Sequence, residues 1–266
     1  MTAISEVFAR CRRERRAAFI PFLTGGDPSL EASGELLPAL AAGGADLIEL
    51  GVPFSDPIAD GPVNQRAAAR ALAAGASLSG ILDLVARRRA GLGVPVVLFT
   101  YYNPLHARGL GRFAEQAAES GVDGVLCVDL PPEEAGELTG ELHARGIDTI
   151  FLVAPTSDRE RIARVAEAST GFAYYVSRTG VTGERARLPR ELQREVKRVR
   201  RRLPLPLAVG FGISSPQQVE AVGKIADGVV VGSALVRLVE ETGADPRLPE
   251  LVERRVRQLA APLRRR

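Results

Sequence analysis

Short apolar runs alternate with longer amphipathic stretches along the chain. The apolar runs are AAFIPFL from Ala17, LIELG from Leu47, PVVLFT from Pro95, GVLCVDL from Gly124, DTIFLVAP from Asp148, GFAYYVS from Gly171, PLAVGFG from Pro206 and DGVVVGS from Asp227. Each is near strand length and most end in turn residues, which predicts about eight strands. Between them apolar residues recur at helical spacing, as in Leu36, Leu37, Leu40 and Ala41, or Leu192, Val196 and Val199. Strands that alternate with helical crossovers imply an α/β protein with a parallel sheet.

Two architectures share that rhythm. An open doubly wound sheet that binds a dinucleotide carries GxGxxG after its first strand; here the first strand runs into LTGGDPS, which lacks the spacing. The strand count instead matches a closed TIM (β/α)8 barrel, with an extra N-terminal helix expected over 5–16 and a last helix over 248–263. Gly43 with Gly44, Gly121 and Gly146 follow helical stretches, where glycine takes a left-handed cap. No Gly- or Ser-rich linker interrupts the chain, so residues 1–266 are expected to form a single barrel domain. A length of 266 residues suits one such barrel.

Composition narrows the partners. The net charge of +3 comes from arginines scattered on helix faces, and aromatics are only 5% of the chain, so a basic stripe interleaved with stacking rings is not in evidence and nucleic-acid binding is not expected. No apolar run reaches membrane-spanning length and the N-terminus lacks a signal-peptide core, which leads to a cytoplasmic expectation with no membrane partner. Cys11 and Cys127 show no metal-ligand spacing; Cys127 sits in an apolar run as a small core residue of a reducing compartment.

The candidate chemistry lies where a barrel keeps it, in the loops after the strands. If alternate residues of LIELG face the helices, Ile48 and Leu50 point outward and Glu49 points into the lumen. Desolvation there would favour the protonated acid and bring its pKa toward neutrality, although a glutamate held by an arginine fits the same position. Asp60 follows in a loop stiffened by Pro53, Pro57 and Pro62, and Asp60-Gly61 is also an ordinary turn pair. GFGIS at 210–214 and GSAL at 232–235 end the seventh and eighth strands and lead into helices, the arrangement of a barrel phosphate site. SRTGVTGERARL at 177–188 is long, polar and glycine-hinged, as a substrate lid would be. Lys197 and Lys224 are the only lysines and neither lies on a strand, so no Schiff base is expected; His106 and His143 are isolated, so no metal is expected. Acid–base work by carboxylates on a phosphorylated compound is what these residues leave.

Seven segments then carry a resemblance: PFLTGGDP at 21–28, LIELGVPFSDPIADGP at 47–62, YYNP, VDLPPEE, SRTGVTG, GFGIS and VVGSALV, spread over nearly the whole chain. In that order they resemble the tryptophan synthase alpha chain family, and the second is the most specific. The resemblance implies a carbon–carbon lyase that cleaves indole-3-glycerol phosphate to indole and glyceraldehyde 3-phosphate. By motif position it implies Glu49 and Asp60 as catalytic acids, and Phe22, Phe99, Leu126, Tyr174 and Thr182 around the substrate. The phosphate cradle would be Gly183, Phe211, Gly212, Gly232 and Ser233.

It further implies no cofactor in this chain. The partner would be a pyridoxal-phosphate beta chain in an alpha2beta2 tetramer, met through 53–56, 103–108 and 129–133. Tyr102 and Pro104 make the third-strand loop bulkier than in some relatives. Another phosphate-binding barrel, an isomerase or synthase, remains open beside this reading. So does a non-catalytic activator of a beta chain, against which the intact pair of acids stands.

Overall fold

A computed structural model describes residues 1–176, 190–210 and 212–264. Eight strands are present: β1 (Ala18–Thr24), β2 (Ile48–Gly51), β3 (Val96–Thr100), β4 (Gly124–Cys127), β5 (Asp148–Val153), β6 (Ala173–Val176), β7 (Leu207–Gly210) and β8 (Gly228–Val231). They pair in parallel in chain order and close through β1 and β8, where Ala18 faces Gly228 and Pro21 faces Val231. The structure is thus the expected TIM barrel.

The helices begin with α1 (Ala3–Arg13), α2 (Leu30–Gly43), α3 (Pro62–Ala73) and α4 (Leu78–Leu92). Next come α5 (Tyr102–Arg108), α6 (Leu110–Glu119), α7 (Gly136–His143) and α8 (Arg159–Ala168). The last four are α9 (Arg190–Arg200), α10 (Pro216–Gly223), α11 (Ser233–Thr242) and α12 (Leu248–Arg264).

Side-chain alternation along each strand divides the core in two. Phe19, Ile48, Leu50, Leu98, Val125 and Val209 pack outward against the helices. Ile20, Leu47, Val97, Leu126, Ile150, Tyr174 and Val230 fill the lumen. Every strand is buried on both faces, which is why the runs are almost uniformly apolar. The lumen is sealed below by α1, whose Ile4, Val7, Phe8 and Cys11 join the inner cluster. Each large apolar side chain there contributes about 2 kcal/mol by leaving water.

This plug fits because Gly124 and Gly228 open two strands without a side chain. A Cβ on Gly124 would lie 2.8 Å from Ile4, and one on Gly228 3.3 Å from Phe8. The plug helix starts earlier than expected, at Ala3, because the Thr2 hydroxyl accepts from the Ser5 N–H and caps it. It stops at Arg13 instead of running to residue 16, with Arg15 turned to a φ of 54°.

A polar device repeats around the bottom rim. Just before each even-numbered strand, a side-chain oxygen accepts the backbone N–H near the start of the preceding strand. Asp46 takes Phe19 at 2.9 Å, Asp123 takes Val96 at 2.8 Å, Thr170 takes Thr149 at 3.0 Å and Asp227 takes Leu207 at 3.1 Å. The three aspartates are also paired, Asp46 with Arg16, Asp123 with Arg89 and Asp227 with Arg200. Backbone donors that begin a parallel sheet are satisfied this way instead of being buried without partners.

Of the glycines expected to cap helices, Gly44, Gly121 and Gly146 have φ of 110°, 78° and 73°. Gly43 is different: it is the last residue of α2, and a Cβ there would meet the Glu253 carbonyl and Val256 at 2.7 Å. Close approach of α12, not backbone handedness, demands that glycine.

Candidate active site

Glu49 sits in the middle of β2, between Phe22 of β1 and Val97 of β3 in register. Its neighbours Ile48 and Leu50 pack outward and Leu47 inward, so the carboxylate belongs to the lumen layer. It is fully buried, and among the described residues neither oxygen has a hydrogen-bond partner. Burial alone therefore pushes its pKa up to about 8. A carboxyl in that state carries a proton at neutral pH and can give it up at small cost.

Tyr174 of β6 shares the lumen with Glu49. Burial first, then the charges of Glu49 and Asp60, drive its phenol well above the usual range, so it stays neutral. Its hydroxyl lies over β7: a Cβ on Gly210 would be 2.1 Å from it. Gly210, read from sequence as part of a phosphate turn, is glycine to admit this ring.

The apolar wall is built from adjoining strands. Phe22 and Phe99 meet edge to face at 5.3 Å, and Phe99 pairs in register with Leu126, which is fully buried in the lumen. Phe22 is bracketed by Gly51 and Gly232, where a Cβ would come within 2.8 and 3.2 Å of its ring. The same phenylalanine thus reaches from the β2 end of the mouth to the β8 end.

Asp60 lies in the loop between β2 and α3, where three groups fix it. Tyr101 donates to Oδ2 at 2.9 Å, Asn64 donates to Oδ1 at 3.3 Å, and the Gln65 amide donates to the Asp60 carbonyl at 2.9 Å. The Tyr101 hydroxyl also accepts the Ala59 N–H at 3.0 Å, tying the loop to the end of β3. Desolvation raises the Asp60 pKa, while the Tyr101 and Asn64 hydrogen bonds pull it back toward the ionised form. A cleft with about 20 Å³ of free volume separates Asp60 and Asn64 from Thr24, Phe22 and Phe99. A roomier hollow of about 440 Å³ opens at the ends of β5 and β6, beside Leu152, Ala154 and Val176.

At the opposite side of the mouth the two candidate anion turns differ. The N-terminus of α10 is occupied by its own capping box. Ser215 accepts from Gln218, whose side chain accepts from the Ser214 and Ser215 N–H groups. The α11 N-terminus has no side-chain cap: Gly232 precedes it and Ser233 is its first residue. Of the two, only α11 presents the uncapped positive end of a helix dipole to an anion. Gly212, in the first of these turns, has a φ of 67°, which glycine adopts without strain.

The expected lid at 177–188, with Thr182 and Gly183, and Phe211 lie outside the described residues. Of the expected partner-facing segments, Ser55 and Asp56 are exposed, and Ile58 just beyond them is a large apolar residue 86% exposed. Asn103 and His106 are exposed on α5, where the Tyr102 ring lies tilted against His106 at 5.5 Å. Asp129 and Glu133 are not simply free for a partner. Asp129 accepts the Tyr102 N–H at 2.8 Å, and Glu133 pairs with Arg161 and Arg164; a backbone hydrogen bond first, and those two guanidiniums after it, hold its pKa down at about 2. Sequence reasoning missed Tyr101 and Asn64. The Asp60/Asn64 spacing of four, across a Pro-initiated helix turn, was the one available signal for the second.

A closed parallel barrel with a lumen acid unpaired among the described residues and an uncapped helix N-terminus across from it defines an enzyme of the (β/α)8 class. The family model for the tryptophan synthase alpha chain matches residues 8–262. The tryptophan synthase alpha chain of Geobacter sulfurreducens is 52% identical over 240 residues, 90% of this chain and 91% of that one. That of Solibacter usitatus is 49% identical over 259 residues, 97% of each chain. Among solved structures, the tryptophan synthase subunit alpha of Legionella pneumophila superposes with a TM-score of 0.92 at 35% identity, covering 99% of this chain and 98% of that one. This chain belongs to the tryptophan synthase alpha chain family.

Proposed function

We propose that the chain cleaves indole-3-glycerol phosphate to indole and glyceraldehyde 3-phosphate, with Glu49 as the proton shuttle and Asp60 as the anionic partner of the ring nitrogen. The observation that carries the site assignment is Glu49: fully buried, in the lumen layer and without a hydrogen-bond partner among the described residues.

Protonated Glu49 delivers its proton to indole C3, and the ring nitrogen takes up the positive charge. Ionised Asp60 accepts the N–H hydrogen bond, which strengthens as that charge develops. The bond from C3 to the glycerol carbon breaks, its electron pair restores the aromatic ring, and the hydroxyl on that carbon loses its proton to the Glu49 carboxylate. Glu49 is thereby returned to its starting form, with atoms and charge balanced. Phe22, Phe99 and Leu126 provide the indole wall and Tyr174 packs beside Glu49. Gly212, Gly232 and Ser233 bind the phosphate at the α11 N-terminus, together with Gly183 and Phe211. Thr182 acts from the lid.

The chain itself uses no cofactor; pyridoxal phosphate belongs to a beta chain that receives the indole, in an alpha2beta2 tetramer in the cytoplasm. Exposed Ile58 and the segment before it support a partner surface at this mouth. The test is cleavage of indole-3-glycerol phosphate by purified protein, alone and with a beta chain, for wild type, Glu49→Gln and Asp60→Asn. Full activity in both variants would refute the site. Retained binding to a beta chain without cleavage by the wild type would make the chain an activator only.

A further inference from the structure

We propose that Asn64 is a positioning residue for the reaction, holding the Asp60 carboxylate in place from the first turn of α3 while Tyr101 holds it from just past the end of β3. The proposal rests on the functional reading of Asp60. Asn64 Nδ2 reaches Asp60 Oδ1 at 3.3 Å and Tyr101 Oη reaches Oδ2 at 2.9 Å, so each carboxylate oxygen has one donor from a different element. A carboxylate gripped at both oxygens cannot rotate away from a ring nitrogen, and holding such a group to a fraction of an ångström governs its rate contribution.

The carbonyl end of Asn64 shows that a full set of amide hydrogen bonds is not what keeps an asparagine here. Asn64 Oδ1 is buried and has no hydrogen-bond partner among the described residues, although it borders the same cleft as Asp60. A buried amide acceptor left unpaired costs folding free energy. A leucine of similar size would avoid that cost, so the fold gains nothing from the acceptor end of the amide at this place. What the amide does is donate to Asp60.

Three titratable groups bear on the pH behaviour. Tyr101 and Tyr174 face Asp60 from just past the end of β3 and from β6, and burial and its charge raise both phenols above the working range. Glu49 titrates, but on the basic side of neutrality. The acid limb of activity is therefore left to Asp60. Removing the Asn64 donor withdraws support from the charged form and moves that limb upward.

The experiment measures kcat, KM and the pH profile for indole-3-glycerol phosphate cleavage, together with thermal unfolding, on full-length wild type, Asn64→Leu and Tyr101→Phe. For Asn64→Leu, kcat is expected to fall about tenfold with KM little changed. The acid limb should shift to higher pH, and the unfolding temperature should stay equal or rise. Unchanged kcat and an unmoved limb would overturn the proposal. So would a loss of kcat that comes with a lower unfolding temperature and an unmoved limb, which marks a structural role. If Asn64→Leu does not fold, Asn64→Ala is read by the same criteria. Wild-type inactivity, or full activity of Asp60→Asn, would remove the functional reading beneath the proposal. Normal activity lost in Asp60→Asn but kept in Asn64→Leu would remove the proposal alone.

Discussion

Asp46 and Glu49 stand three positions apart, one just before β2 at the bottom rim and the other within the strand, and both are buried, 2% and 0% exposed. Their surroundings are opposite. Burial pushes the Asp46 pKa up, but Arg16 at 2.6 and 2.8 Å and the Phe19 N–H at 2.9 Å outweigh it and leave the carboxyl below its usual range. Glu49 meets the same desolvation with no partner among the described residues, and its pKa rises to about 8. The bottom rim neutralises its charges to hold strands together, whereas the mouth leaves one unneutralised, at a cost in stability, so that a proton is available there. The Asp27–Arg70–Glu240 chain shows that pairing is also used above the rim, where it joins the loop after β1 to α3 and α11.

The contrast is broken most severely by Glu49→Gln. Cleavage of indole-3-glycerol phosphate should fall by about 10²–10⁴ in kcat, the range for removing a general acid–base. The same variant should be the more stable one above pH 8, because the amide carries no charge to bury. A variant both active and destabilised would reverse the assignments of the two ends.

Arg16→Met tests the rim. It removes the closer of the two arginines on Asp46 and leaves Arg10 at 3.2 Å, so urea unfolding should show a loss of at most about 3–5 kcal/mol at neutral pH. The cleavage rate per folded molecule should hardly move, since Arg16 touches nothing at the mouth. The rim's contribution should fade in acid. The Asp46 pKa is depressed on folding, so its stabilisation is present above the ordinary carboxylate value of 3.8 and lost as pH falls through the lower folded value.

Glu49 has the other sign. Its folded pKa of about 8 lies above the ordinary 4.5, so the folded state binds the extra proton between those values. Stability should therefore decline as pH rises through that window, by at most about 1.4 kcal/mol per unit from this one group. Denaturant midpoints of wild type and Glu49→Gln across that range isolate the slope as their difference; parallel curves would mean Glu49 is ionised in the folded protein.

The smallest expected effect is Thr170→Val. It deletes the neutral member of the rim device and leaves the Thr149 N–H without that acceptor, for a loss of about 1 kcal/mol. A loss as large as that for Arg16→Met would show that the hydrogen bond, not the charge, dominates the rim.

Much of this was legible in the sequence because it is local. The eight apolar runs became eight strands, and the alternation in LIELG placed Glu49 inside and Ile48 and Leu50 outside. Other features were illegible because they depend on residues far apart in the chain. Not everything unread was distant: GFGIS and GSAL read alike as glycine turns before helices, yet the adjacent Ser215 and Gln218 close one helix end while Gly232 leaves the other uncapped. Gly210 is glycine because of Tyr174, and Tyr101 clamps a loop 41 positions earlier.

The sequence by itself determined the order of strands and helices, the inward side of β2 and the acid placed there. Those follow from periodicities of two and 3.6 that short-range sterics impose on any chain. Only the tertiary structure decided which acids would be neutralised. An arginine reaches Asp46 because α1 folds beneath the barrel, and no cation among the described residues reaches Glu49 because ring closure surrounds it with apolar side chains. A pKa is set by what lies within a few ångströms, and closure of the barrel is what fixes those neighbours.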